Sequence, residues 1–249
     1  MPPAPAELLT WAAGPAALYL AASAVGPWLA RRAAANPVRL VRWWQSAHLG
    51  QLLATVLQFG FYVGIPYAGV VTGALDLHSL GLTGADTPGT VALVALVTTT
   101  SLALFGGARR YWAGGSQAVD VLAPSTLEPA APAPSGWQSL IDTAAVAVAL
   151  QAHLALYRAA LLPAAGADLL PAAAAALAAF AALALVALER AAGALLAGRW
   201  EAPGAARGDI ESLATMASGA IVLWGANSLP GAVVVQAAVA FGLSRLRDH

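Results

Sequence analysis

Apolar runs of membrane-crossing length follow one another along most of this 249-residue chain, and no other feature restricts its fold so strongly. A bilayer core is crossed by about 20 mostly apolar residues in a helix, because backbone amides inside hydrocarbon must find their partners within the same segment. The runs read as successive spans: roughly Leu8 to Ala30, Ala47 to Val71 with a kink expected at Pro66, and Thr90 to Gly107. Four more follow: Trp137 to Leu162, Leu170 to Leu188, Ile210 to Ala226, and a last one that begins after Asn227-Ser228-Leu229-Pro230 and ends near Leu243. With 59% hydrophobic and 10% charged residues, the chain is too apolar for one water-soluble core. The expected fold class is therefore all-α, a polytopic transmembrane helical bundle of about seven spans.

Charge orients these spans. If the N-terminus lies outside, Arg31, Arg32, Arg39, Arg42, Arg109, Arg110, Arg190, Arg199, Arg207, Arg245 and Arg247 all fall in cytoplasmic segments, which is eleven of the twelve arginines. Such segregation is what the positive-inside rule demands, and a wrong span count would mix the two sides. Trp43, Trp44, Trp112, Trp137 and Trp200 flank the same cytoplasmic ends, where an indole N–H can reach the headgroup layer.

The stretch Gly114 to Ser135 carries Pro124, Pro129, Pro132 and Pro134 among small residues and reads as a flexible cytoplasmic linker. It divides the chain into a three-span segment (1–113), the linker (114–136) and a four-span segment (137–249). Ala191 to Arg207 has too few apolar residues to cross and is expected along the cytoplasmic interface. The start Met1-Pro2-Pro3-Ala4-Pro5-Ala6-Glu7 lacks a basic n-region, so the first run is expected to be a retained span and not a cleaved signal. Heavy use of Ala, Gly, Pro and Arg suggests a GC-rich bacterial genome and hence a bacterial cytoplasmic membrane, with the C-terminus cytoplasmic.

Composition also excludes chemistry. Twelve basic and twelve acidic residues leave no net charge and no electrostatic footprint for nucleic acid, so the lipid bilayer and a membrane-protein partner are the expected contacts. Lysine is absent, which excludes a Schiff base on this chain. Cysteine is absent too, which removes thiolate nucleophiles, iron–sulfur ligation and disulfides. No H-E-x-x-H, phosphate-cradling Gly-Lys loop or nucleophile elbow occurs, and no metal site or cofactor is expected.

Polar groups at membrane depth concentrate in the fourth span, where an ionised side chain costs roughly 2.5–3.5 kcal/mol on insertion scales. Asp142, His153 and Tyr157 fall on one face at 100° per residue, and Gln151 and Arg158 on another, so this helix is expected to be buried on more than one side. Two readings are open. Either the helix walls a polar cavity, or Arg158 snorkels to the outer interface, Asp142 sits near the inner end and His153 is hydrogen-bonded to a neighbour. His48 and His153 could in principle ligate a haem, but they lie at different depths and sharing one iron would be awkward. Gly60-Phe61-Tyr62-Val63-Gly64 is a small-xxx-small pattern that would admit a closely approaching helix.

Three segments carry a resemblance. Leu77-His78-Ser79-Leu80-Gly81-Leu82-Thr83, His153-Leu154-Ala155-Leu156-Tyr157-Arg158-Ala159, and Ser228-Leu229-Pro230-Gly231 with Val235-Gln236-Ala237-Ala238 resemble the layout of the CPBP family of intramembrane metalloproteases, over about two-thirds of the chain. The family is built on an E-E-x-x-x-R motif and on histidines in later spans. The resemblance implies that His153 and Leu154 stand where two glutamates would be, that Gln236 replaces a late histidine, and that Arg158 alone is kept. An amide is no general base at neutral pH, and a lone imidazole cannot supply three protein ligands to a catalytic zinc. The expectation is a non-catalytic, CPBP-like pseudo-enzyme acting as a binding or accessory subunit. The alternatives are an altered protease site built from His153, Arg158, Asp142 and Gln236, and a small transporter or cofactor-binding subunit.

Overall fold

The computed structural model describes residues 5–35, 56, 59–83, 88–116, 136–165, 170–198 and 205–245. The described residues are helical apart from short turns. In chain order the helices are α1 (Pro5–Ala35), α2 (Ile65–Val71) entered through a π-helical turn at Gly60–Gly64, α3 (Pro88–Ser116), α4 (Gly136–Ala165), α5 (Pro171–Leu196), α6 (Ala205–Ala226) and α7 (Leu229–Arg245). The π turn sits immediately before Pro66, whose missing N–H interrupts the α-helical ladder where the sequence predicts a kink.

Among the described residues, three helices are long and apolar enough to cross a membrane: Pro88–Ala108 within α3, Ser139–Pro163 within α4, and α5. Gly60–Val71, Ile210–Ala226 and Leu229–Arg245 are apolar but shorter. The outer surface is correspondingly greasy, with Val91, Leu96 and Leu104 of α3 and Leu177, Phe180 and Leu188 of α5 exposed. Such a surface suits helices that cross a membrane.

α4 is the axis of the bundle. It packs against α1, α2 and its π turn, α5, α6 and α7, while α3 lies against α6 and α7, and α1 against α4 and α5. Ten consecutive α4 residues, Gln151 to Ala160, are buried, so the helix is enclosed on every side, as its two polar faces predict.

α5 begins with Pro171 in its first turn and runs to Leu196, with Gly198 (φ +67) in the left-handed region just past its end. The residues Ala191–Leu196, expected along the interface, instead continue this helix. A long apolar helix propagates at little cost while its small residues pack, and Gly193 does so against Tyr19 and Ser23 of α1. Trp137 is exposed at the start of α4, in keeping with an anchor. The expectations for His48, Trp43, Trp44, Trp200, the side chain of Trp112 and linker residues 117–135 lie outside the described residues.

One end of the bundle is tied together by backbone. The loop after α2 turns at Gly81 (φ +77), whose carbonyl accepts the N–H of Leu229 at 2.8 Å. A Cβ at Gly81 would meet the Leu223 side chain at 2.9 Å and Asn227 O at 3.1 Å, so both its φ and its surroundings call for glycine.

Candidate functional site

The polar residues of α4 form a column at three levels, each engaged by a different neighbour. Deepest towards the centre, His153 and Tyr157 lie one turn apart on the face towards α5. There His153 Nε2 stands 3.1 Å from Glu189 Oε2, and the Tyr157 hydroxyl donates to the same oxygen at 3.1 Å. His153, Tyr157 and Glu189 are all buried. Around the imidazole, the rings of Tyr157, Tyr62 and Phe61 stand at 4.4, 4.9 and 5.1 Å between centroids. The π turn thus serves to insert Phe61 and Tyr62 against His153.

That differs from the close helix approach expected at Gly60 and Gly64. A Cβ added at either glycine would meet nothing within 4 Å. The intervening aromatics, not the glycines, face the core.

On the opposite face of α4, Gln151 Nε2 donates to Gln236 Oε1 of α7 at 2.7 Å and to Met216 O of α6 at 3.3 Å. Arg158, seven residues on, donates through Nη1 to Ser79 O at 3.0 Å and to Asn227 Oδ1 at 2.8 Å. Asn227 in turn donates from Nδ2 to His78 O at 2.9 Å and holds φ +47, a conformation that asparagine tolerates. Arg158 is only 4% exposed, so it is covered by the loop and by the α6–α7 turn and does not snorkel into the headgroup layer.

The residues singled out from the sequence are therefore not one constellation. His153 lies in the sealed centre and Arg158 at one end. Asp142 is exposed at the other end, on a cavity of about 340 Å³ that it shares with Glu211, Ser212, Thr215 and Gln236. Among the described residues, no three His, Cys, Asp or Glu side chains come together in the way a metal ion needs.

Glu189 is the residue that sequence reasoning missed. It ends an apolar run beside Arg190 and looks like an interfacial charge. Its signal lies in spacing: Ala178, Ala182, Val186, Glu189 and Gly193 recur every three or four residues and are all buried, so the carboxylate belongs to the small-residue packing face of α5.

Chemically, a carboxylate beside an imidazole fixes the ring's orientation. Glu189 Oε1 and His153 Nδ1 have no hydrogen-bond partner. The cavities at the two ends of the bundle are lined by neither residue.

The fold and the buried polar column together define an all-helical protein with helices suited to crossing a membrane. No protein-family model, curated protein or solved structure matches this chain.

Proposed function

We propose that this is a multi-pass protein of a bacterial cytoplasmic membrane, N-terminus outside and C-terminus inside, that keeps a CPBP-like layout without its proteolytic chemistry and serves as a binding or accessory subunit. The observation that carries this reading is the sealing of the α4 polar column. His153 and Leu154, at the positions that match the family's glutamates, are 1% and 0% exposed, and His153 is closed in by three aromatic rings. A hydrolase must bring water and a peptide carbonyl within hydrogen-bond reach of its base. Gln236, at the position of a family histidine, offers its Oε1 to Gln151 Nε2, and an amide there is no general base. The resemblance gains support from space as well as sequence, since its three segments meet: Ser79 and Asn227 hold Arg158, and Gly81 holds Leu229.

A second reading, an intramembrane enzyme with an altered site, is favoured by the His153–Glu189 pair, a carboxylate-oriented imidazole with a free nitrogen. Zinc analysis of purified protein and a peptide-cleavage assay in proteoliposomes separate the two. The accessory reading expects sub-stoichiometric metal and no cleavage. Metal-dependent cleavage that vanishes in both His153→Ala and Glu189→Ala would overturn it.

A further inference from the structure

Arg158 has a second significance, at the end of the bundle where it is buried. A cavity of about 450 Å³ opens there between the C-terminal part of α4, the start of α5, the α6–α7 turn and the loop carrying His78. That volume suits a small ligand. Arg158 lies on its wall together with His78, Asn227, Pro171 and Trp224.

The guanidinium stays protonated at any physiological pH, and a desolvated cation costs several kcal/mol unless something compensates it. Its two hydrogen bonds go to neutral acceptors, a backbone carbonyl and an asparagine amide. Its Nε has no partner, and among the described residues no carboxylate pairs with it. Two dipoles orient the group without neutralising it.

The cavity adds a second source of positive potential. α5 starts there with Leu170 at the cap position, which has no side-chain hydrogen bond to offer, and with Pro171 following. The uncapped first-turn amides of this 26-residue helix therefore offer donors to an anion at this end, opposed by the C-terminal carbonyl ends of α4 and α6, so that Arg158 supplies the main attraction. Apart from Ser79, the rest of the lining is apolar, with Leu162 and Ala174 beside Trp224. Outside the cavity the apolar surface continues, with Trp224 and Phe180 both exposed and their rings 6.3 Å apart.

We propose that this pocket binds a phosphate oxyanion on Arg158, and that its source is the headgroup of a phospholipid whose chains lie along Phe180 and Trp224. A planar guanidinium matches phosphate geometry, and the burial of Arg158 makes the charge-assisted bond strong. The idea leans on the membrane reading only for the source of the anion, because free phosphate tests the pocket by itself.

The experiment measures the thermal midpoint of delipidated protein in a neutral detergent. It is titrated with inorganic phosphate against chloride at equal ionic strength, and separately with phosphatidylglycerol against an uncharged diacylglycerol. Wild type is expected to be stabilised saturably by phosphate and at lower concentration by phosphatidylglycerol. Arg158→Gln is expected to weaken both by about tenfold or more, the loss of one charge-assisted contact. Should Arg158→Gln fail to fold, Ala175→Leu fills the cavity while keeping the arginine and is expected to abolish the same response.

Stabilisation by phosphate with no further gain from the lipid supports the oxyanion site and assigns it to a free anion, overturning the lipid source. No saturable stabilisation of wild type, or an undiminished response in Ala175→Leu, overturns the site.

Discussion

Replacing Gly219 by alanine tests how closely α4, α6 and α7 approach at the buried Gln151 contact. A Cβ at Gly219 would collide with Gln151 Nε2, and would lie 2.7 Å from Gln151 Cδ and 2.9 Å from Ala232 O. Gln151 cannot swing aside without cost, because its Nε2 is held by Gln236 Oε1 and Met216 O, all three residues being buried. Overpacking costs about 1–3 kcal/mol and unmaking buried hydrogen bonds a similar amount, against a helix-propensity gain near 1 kcal/mol for alanine over glycine. The net expectation is a loss of about 3 kcal/mol. Gly107→Ala is the control, since a Cβ there meets nothing within 4 Å and is expected to leave stability unchanged or slightly raised.

The assay is the unfolding midpoint in mixed micelles as the fraction of denaturing detergent rises. It is read for Gly219→Ala, Gln151→Ala and the double variant. Removing the glutamine removes its part of the collision and leaves only the Ala232 O contact, so the double variant should be more stable than the sum of the singles by at least about 1 kcal/mol. Additive losses, or a Gly219→Ala protein as stable as wild type, would refute the argument that this glycine exists to seat Gln151.

Three other outcomes follow from the same geometry. Glu189→Leu alone leaves His153 and Tyr157 without their shared acceptor and is expected to lower the same midpoint by about 3 kcal/mol, whereas His153→Leu with Glu189→Leu should recover most of it. Loss in the double variant equal to the two singles added would contradict this. Asn227→Gly keeps the φ of +47 and loses only the hydrogen bonds, so Asn227→Ala should be less stable than Asn227→Gly by about 1 kcal/mol, and equality would contradict the backbone argument. Because the chain has no cysteine, single-cysteine variants report topology directly: Leu82→Cys should react with an impermeant maleimide on intact cells, and Leu196→Cys, at the opposite end of α5, only after permeabilisation. Labelling of both positions on intact cells would contradict the proposed orientation.

Much of the fold was legible in residue order. The breaks at Pro66, at Leu170-Pro171 and at Asn227-Ser228-Leu229-Pro230 all fall where the structure interrupts its helices, because proline lacks a donor and asparagine tolerates the left-handed region. The faces of α4 were legible for the same reason, as helical periodicity alone puts His153 beside Tyr157 and sets Gln151 and Arg158 apart from them. The site was legible only in half. Gly60 and Gly64 suggested a helix contact that the π turn replaces with Phe61 and Tyr62, and Glu189, one residue past the expected end of the fifth span, was not singled out.

Helices suited to hydrocarbon are a local consequence of composition: each satisfies its own backbone, so apolar length and punctuation suffice to determine them. Partnership between side chains is not local. Glu189 meets His153 from 36 residues away, Gln236 meets Gln151 from 85, and Ser79 meets Arg158 from 79. Those meetings depend on how each helix is rotated and how near its small residues let a neighbour come, and only the packed bundle decides that.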